Sequence, residues 1–468
     1  MFNWYKTTEN NLKVRLSLLA LLFSLTACQV NKKPDLARLY QPIGTDFSNT
    51  PLILIHGSLG SKLRLKSTEK EVWPGKIKDL IFSNYKILAN QIIPDTLQVD
   101  HSLIESYAIF DSFSGLSIYD DIIQTLTEYG NYHIADLKQM AVDGRSLYIF
   151  HYDWRQDNVY NAQRLAQFID QVLNHAKHEQ VDVVAHSLGG LILRYYQRFG
   201  AHDILPLLMQ PSDNTIEQPT THSQASKIRH AVFLGTPQLG TVKAIDRLRS
   251  GFDFNLRNIP VEVQITMPSV YQLLPHPFSR WAANSAGELL DIDIYNPELW
   301  QKNQWAIYDK NVIDRIMTSA KSPENGQKEV KTLQHFFNHQ LLRAQAFWHA
   351  LTPKYEVDHE GFIIMGGSCN ETLNRVIAEK DTTSGFINLH HSVRREQDDI
   401  DLQKSILFEP GDGQVSKSSL LGQAKSKGHK HTLKTIKVKY PVFVCEDHLK
   451  LTENITFQDN LLHVLLNN

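Results

Sequence analysis

Short apolar runs recur along the chain at Pro51–Gly57, Leu147–Phe150, Val181–Ala185, Ala231–Leu234, Phe362–Met365 and Ile436–Val444. Such runs, stopped by glycine or polar residues, are the pattern of strands buried on both faces of a parallel sheet. Between them, Tyr119–Tyr129 and Asn161–His175 carry apolar residues three and four apart, the spacing of a helix with one buried face. Strand alternating with helix predicts an α/β fold with a doubly wound, mostly parallel sheet. Two stretches break the alternation, 61–112 and 241–350, and neither reads as sheet. They are expected as a small lid insertion and a larger helical cap. The polar segment Gln210–Lys227 reads as a surface excursion.

The first residues follow a different pattern. Lys6, Lys13 and Arg15 precede the apolar run Leu16–Ala27, which has the length of a signal-peptide core and is too short to span a bilayer comfortably. It ends in Leu25-Thr26-Ala27-Cys28, which resembles the bacterial lipobox. Cleavage before Cys28 and lipidation of its thiol would leave residues 28–50 as a tether. Gln29, by resemblance to sorting in enteric bacteria, favours the outer membrane, with the body facing the periplasm. The expected organisation is therefore signal peptide 1–27, tether 28–50, core 51–240 with a lid near 61–112, cap 241–350, and second core part 351–468. The membrane is expected as a partner through the anchor alone.

Composition narrows the function classes. The 468 residues carry 48 basic and 50 acidic side chains, a formal net charge of −2, which argues against nucleic acid as a partner. Three cysteines, Cys28, Cys369 and Cys445, show no spacing that closes a metal site, so neither metal nor cofactor is expected. With Cys28 lipidated, Cys369 and Cys445 are left either to pair in an oxidising compartment or to remain as buried thiols. Oligomeric state is not legible.

Candidate chemistry begins at Ala185-His186-Ser187-Leu188-Gly189-Gly190, which leaves an apolar strand and opens an amphipathic helix. This is the context of a nucleophile elbow, with Ser187 as nucleophile and small residues two positions to either side. A serine hydroxyl needs a histidine to take its proton and an acid to orient that histidine. In this fold class the order is serine, acid, histidine. Asp412, in the glycine-flanked turn Glu409–Val415, is the candidate acid; it follows Ser405–Phe408, read as a strand or a short extended lead-in. His448, just past the strand ending at Cys445, is the candidate base. Two backbone amides must meet the oxyanion, and those of Ser58, after the first strand, and Leu188 are the candidates.

These motifs together resemble the lecithin:cholesterol acyltransferase and lysosomal phospholipase group of α/β hydrolases. The resemblance rests on Pro51–Leu63, Val72-Trp73-Pro74-Gly75, Tyr152-Asp153-Trp154-Arg155, Ala185–Gly190, Gly235-Thr236-Pro237 with Gly240, Gly411–Val415 and Asp447-His448-Leu449. It implies an α/β-hydrolase fold and a serine hydrolase or acyltransferase acting on lipid acyl esters, with Leu59 and Trp73 at the substrate. It also implies that Asp153 and Arg155 form a packed ion pair, while the cap 241–350, rich in Phe, Trp, Tyr and Leu, reads either as an apolar acyl groove or as a plain packed helical insertion. His56 stands where eukaryotic members mostly carry proline, Ser58 replaces a cysteine or aspartate, and Gln414 a threonine. A serine esterase for another acyl ester, or a non-catalytic lipid-anchored binding module, are the other readings of the same residues.

Overall fold

The computed structural model describes residues 34–40, 49–75, 85–110, 112–113, 116–210, 223–254, 257–352, 362–394, 399–425 and 432–467. Cys28, the apolar run before it and residues 211–222 of the expected surface excursion lie outside them.

Among the described residues a seven-stranded sheet forms the centre of the fold. Its strands are β1 (Leu52–Ile55), β2 (Tyr132–Ile134), β3 (Arg145–Phe150), β4 (Val181–His186), β5 (Ile228–Leu234), β6 (Phe362–Gly367) and β7 (Val438–Val444). They lie in the order β7-β6-β5-β4-β1-β3-β2, and every pair is parallel. Leu52 and Leu54 of β1 point to one face, with Val184, Val232, Leu234, Ile363 and Met365. Ile53 and Ile55 point to the other, with Val183, Ala185, Phe233 and Ile364. The strict alternation shows why these runs had to be apolar throughout, since both faces are covered. Helices Asn158–Ala176 and Leu188–Phe199 cover the second face, while Tyr119, Ile122 and Leu126, with the C-terminal helix Ile455–Leu466, cover the first.

The chain leaves β1 toward β3 and β2 but leaves β4 toward β5 and β6. The carboxyl ends of β1 and β4 therefore flank a point where the strand order reverses, the place where open α/β sheets bind ligands.

Several expectations are corrected. The stretch 61–112 does contain sheet: Ser61–Leu65 pairs antiparallel with both Glu71–Trp73 and Ile104–Ile109. Its signature is alternation rather than an apolar run, with Leu63 buried and Lys62 and Arg64 half-buried. The cap holds six α-helices and one 3-10 helix among its described residues, but also the hairpin Phe252–Phe254 with Arg257–Ile259. Ser405–Phe408 is neither of the forms expected: Ile400–Leu407 is a helix capped by the Asp399 side chain, and a strand begins only at Phe408. β7 is an edge strand, half-exposed over most of its length.

Candidate active site

Ser187 sits between β4 and the helix Leu188–Phe199 at φ 52° and ψ −123°, a left-handed backbone that a side chain adopts only when its surroundings enforce it. Its amide donates to the Leu234 carbonyl at the end of β5. Gly189 shows what the tight turn demands: a methyl group there would lie 2.4 Å from the His56 carbonyl oxygen and 2.7 Å from Ile55 Cγ2.

Asp412 and His448 arrive from two other strand ends. His448 Nε2 lies 3.1 Å from Ser187 Oγ, and His448 Nδ1 lies 2.7 Å from Asp412 Oδ2. The other carboxylate oxygen, Oδ1, accepts the Gln414 and Val415 amides at 2.9 and 2.7 Å. With Asp412 1% exposed, these bonds satisfy a charge that burial would otherwise penalise. The His448 amide donates to the Asp412 carbonyl, so the two loops are joined through backbone as well as side chain.

A second ring of contacts braces them. Cys369 and Cys445 form a disulfide with a Cα–Cα distance of 5.0 Å, tying the segments that follow β6 and β7 three residues before His448. Lys243 Nζ donates to the Gly413 carbonyl at 2.6 Å and to Gln414 Oε1 at 3.1 Å, which gives the glutamine found in place of threonine a partner of its own.

The loop after β1 faces the serine. A methyl group at Gly57 would lie 2.8 Å from Ser187 Cβ, so Ser58 and Leu59 flank the elbow. Among the described residues, neither the Ser58 amide nor the Leu188 amide donates to another acceptor. Leu188 opens its helix, where the first amides have no intrahelical partner. Leu59 has φ 65° and is half-buried beside the site. Trp73 is placed otherwise: it is wholly buried, its ring against Tyr85 and Trp154, and its indole N–H donates to the Leu59 carbonyl at 3.1 Å. It reaches the site through the loop it holds.

Asp153 and Arg155 form the packed pair, with Arg155 Nε and Nη2 on the two carboxylate oxygens at 2.9 and 2.6 Å. Burial works to raise the Asp153 carboxyl, but Arg155 and its hydrogen bonds outweigh it and hold it below the usual range. Arg155 Nη1 also donates to the Leu88 carbonyl, which pins the lid segment to the core.

Sequence reasoning assigned no role to three side chains beside the serine. His56 Nδ1 lies 2.7 Å from the Gly57 carbonyl oxygen, and its Nε2 accepts the Tyr152 amide at 3.1 Å. Tyr119 Oη accepts the Gly57 amide and lies 2.8 Å from His186 Nδ1. Burial pushes the His56 imidazole down to about 3. Burial, and then the neighbouring His448, push His186 well below its ordinary value, so both rings are neutral. The only sequence signal was a histidine adjoining each motif.

The strand order, the sharp serine turn and the loop opposite it define an α/β hydrolase. Residues 108–421, two thirds of the chain, match the sequence profile of lecithin:cholesterol acyltransferase. The chain belongs to that family, and membership supports an ester hydrolase or acyltransferase. No curated protein matches it by sequence. Among solved structures, the crystal structure of a Tle4–Tli4 complex aligns at 15% identity over 89% of this chain and 98% of the other, with a TM-score of 0.48. Lipase 1 from Pelosinus fermentans aligns at 12% identity over 90% and 99% of the two chains, with a TM-score of 0.35.

Proposed function

We propose that the protein is a serine hydrolase or acyltransferase of lipid acyl esters, of phospholipase A or O-acyltransferase type, working through Ser187, His448 and Asp412. The observation that carries this reading is the continuous hydrogen-bonded line from Asp412 Oδ2 through both nitrogens of His448 to Ser187 Oγ. Asp412 Oδ2 accepts a hydrogen bond from His448 Nδ1–H and keeps the proton on that nitrogen, which leaves the Nε2 lone pair facing the serine hydroxyl. Ser187 Oγ attacks the ester carbonyl carbon as His448 Nε2 takes its proton. The tetrahedral oxyanion is held by the Ser58 and Leu188 amides, aided by the helix N-terminus. His448 then protonates the departing alcohol oxygen, leaving an acyl-enzyme on Ser187. Water or an acceptor alcohol, deprotonated by the same nitrogen, attacks that ester and restores the serine.

Lipid as the substrate class rests on the family. A cavity of about 680 Å³ lies between lid and cap, with Ile92, Val263 and Leu333 in its lining beside the charged side chains of Arg155, Glu262 and Arg315. None of the three proposed catalytic residues lines it, so it is not assigned as the acyl groove. Among the described residues no helix is long and apolar enough to cross a membrane. Attachment through a lipid on Cys28, in a bacterial envelope, is part of the proposal and follows from the lipobox-like sequence alone.

Replacing Ser187 by alanine is expected to lower fatty acid release from phosphatidylcholine and phosphatidylethanolamine vesicles by about three orders of magnitude or more. Thermal unfolding should change little. Turnover near that of the wild type would end the assignment of the nucleophile.

A further inference from the structure

The loop after β1 is held by more partners than a surface turn needs. Gly57 is fixed at both ends. Its carbonyl oxygen is contacted by His56 Nδ1 at 2.7 Å and accepts the Gly60 amide at 3.2 Å. Its amide donates to Tyr119 Oη at 2.7 Å, and that hydroxyl in turn meets His186 Nδ1 at 2.8 Å. A peptide unit is planar and trans, so its C=O and N–H point in opposite directions. With the Gly57 carbonyl turned toward His56, the Ser58 N–H is turned away from it and has no freedom to swing. Holding Gly57 at its amide and at its carbonyl thus fixes the direction of the Ser58 N–H.

The hydrogen-bond pattern also settles where the ring protons sit. His56 Nε2 accepts the Tyr152 amide, so its proton is on Nδ1 and is donated to Gly57. The Tyr119 hydroxyl accepts from Gly57, and among the described residues His186 Nδ1 is the acceptor its own proton reaches; a proton on Nδ1 instead would leave that hydroxyl hydrogen without an acceptor. The His186 proton is then on Nε2, on a ring whose centroid lies 4.9 Å from that of His448. The two histidines are neutral and carry opposite tautomers. Both are buried, His56 fully and His186 to 5% exposure, and Tyr119 is 1% exposed. His56 is further fixed by stacking on Tyr152 at 4.1 Å, whose hydroxyl donates to the His56 carbonyl.

We propose that His56, Tyr119 and His186 are positioning residues that set the Gly57–Ser58 peptide for the oxyanion before substrate arrives, with His56 as a neutral Nδ1–H donor and His186 as a neutral Nδ1 acceptor. The inference rests on the reading of Ser187 as nucleophile and of the Ser58 amide as an oxyanion donor. It makes His186, the residue before the serine, a link between the elbow and the loop opposite. It also accounts for histidine at position 56: a proline there has no side-chain donor for the Gly57 carbonyl, so this chain uses a different brace for the same peptide.

The test is steady-state hydrolysis of p-nitrophenyl butyrate by the full chain and its variants, with thermal unfolding run in parallel. Tyr119→Phe, His56→Leu and His186→Leu are each expected to lower kcat about tenfold or more and to leave KM within twofold, because a misaimed amide is felt only where charge develops. His56→Asn places an N–H, and His186→Asn a carbonyl oxygen, near the lost Nδ1, and both should recover most of the kcat. A Tyr119→Phe enzyme with kcat within twofold of wild type, or asparagine variants no better than leucine, would overturn the proposal. Should the leucine variants fail to fold, neutron diffraction on the wild-type protein decides: deuterium on His56 Nδ1 and His186 Nε2 supports the assignment, and the opposite tautomers refute it. Ser187→Ala is the control that separates the two readings. If it is inactive while Tyr119→Phe is unimpaired, only the positioning role falls; if it retains full activity, both do.

Discussion

Lowering the pH from 7 to 5 should destabilise this protein through its buried histidines. His56, His186 and His276 are 0%, 5% and 1% exposed. Burial drags His56 and His276 down to about 3 and His186 well below its ordinary value. The unfolded chain binds protons at the ordinary value near 6.5, so below that pH it takes up protons that the folded state refuses. The stability from these groups is intact above about pH 6.5 and is lost as pH falls toward their folded values. Each contributes a slope of about 1.4 kcal/mol per pH unit, or about 2 kcal/mol by pH 5, and the three together about 6 kcal/mol. That is a large part of the 5–15 kcal/mol that holds a typical domain. Carboxylates add little in this window. Asp153 and Asp157 are held low in the fold, but their unfolded values lie near 3.9, so their share is lost only below about pH 5. Urea unfolding followed by tryptophan fluorescence at half-unit pH steps measures the slope directly. His276→Gln should remove the share of one buried imidazole, about 2 kcal/mol between pH 7 and pH 5. Equal stability at pH 7 and pH 5 would refute the reasoning, as would a slope that His276→Gln leaves unchanged.

Other expectations concern the braces around the site. Reducing the Cys369–Cys445 bond, or replacing both residues by alanine, opens a loop of 76 residues and should cost about 4 kcal/mol of stability. Activity should fall as well, because the bond holds the segment three residues before His448 to Asn370–Leu373, the strand that pairs with Phe408–Gly411 ahead of Asp412; unchanged melting and turnover in a reducing agent would contradict this. Gly189→Ala would drive a methyl group to 2.4 Å from the His56 carbonyl and should cost about 1–3 kcal/mol in melting experiments. It should also lower turnover about a hundredfold by displacing the oxyanion loop. Cys28→Ser should abolish metabolic labelling with palmitate and release the protein into the soluble fraction; labelling that persists would refute the anchor.

Much of the sheet was legible in the sequence because its central strands are buried on both faces and leave uninterrupted apolar runs. The edge was not: Tyr132–Ile134 is three residues long, includes His133 and leaves Ile134 exposed, so no run marks it. The strands of the lid segment are covered on one face only, and their alternation in Ser61–Leu65 is too short to stand out from loop. Ser187, Asp412 and His448 were legible because each follows a strand or a glycine turn in the order this fold class uses, and the structure brings all three together. Trp73 was legible as a motif but not as a buried support for Leu59, because a motif names a residue and not its hydrogen-bond partner. The Gly57–Tyr119–His186 line joins residues 62 and 67 positions apart and has no local pattern at all.

The most direct test of the central claim is peptide mapping by mass spectrometry after brief exposure of the purified protein to a fluorophosphonate probe, alongside incubation with mixed diacyl phospholipids. The account predicts one phosphonylated residue, Ser187, with free fatty acid and lysophospholipid as products. No label on Ser187, or a label on another serine that tracks activity, would contradict it.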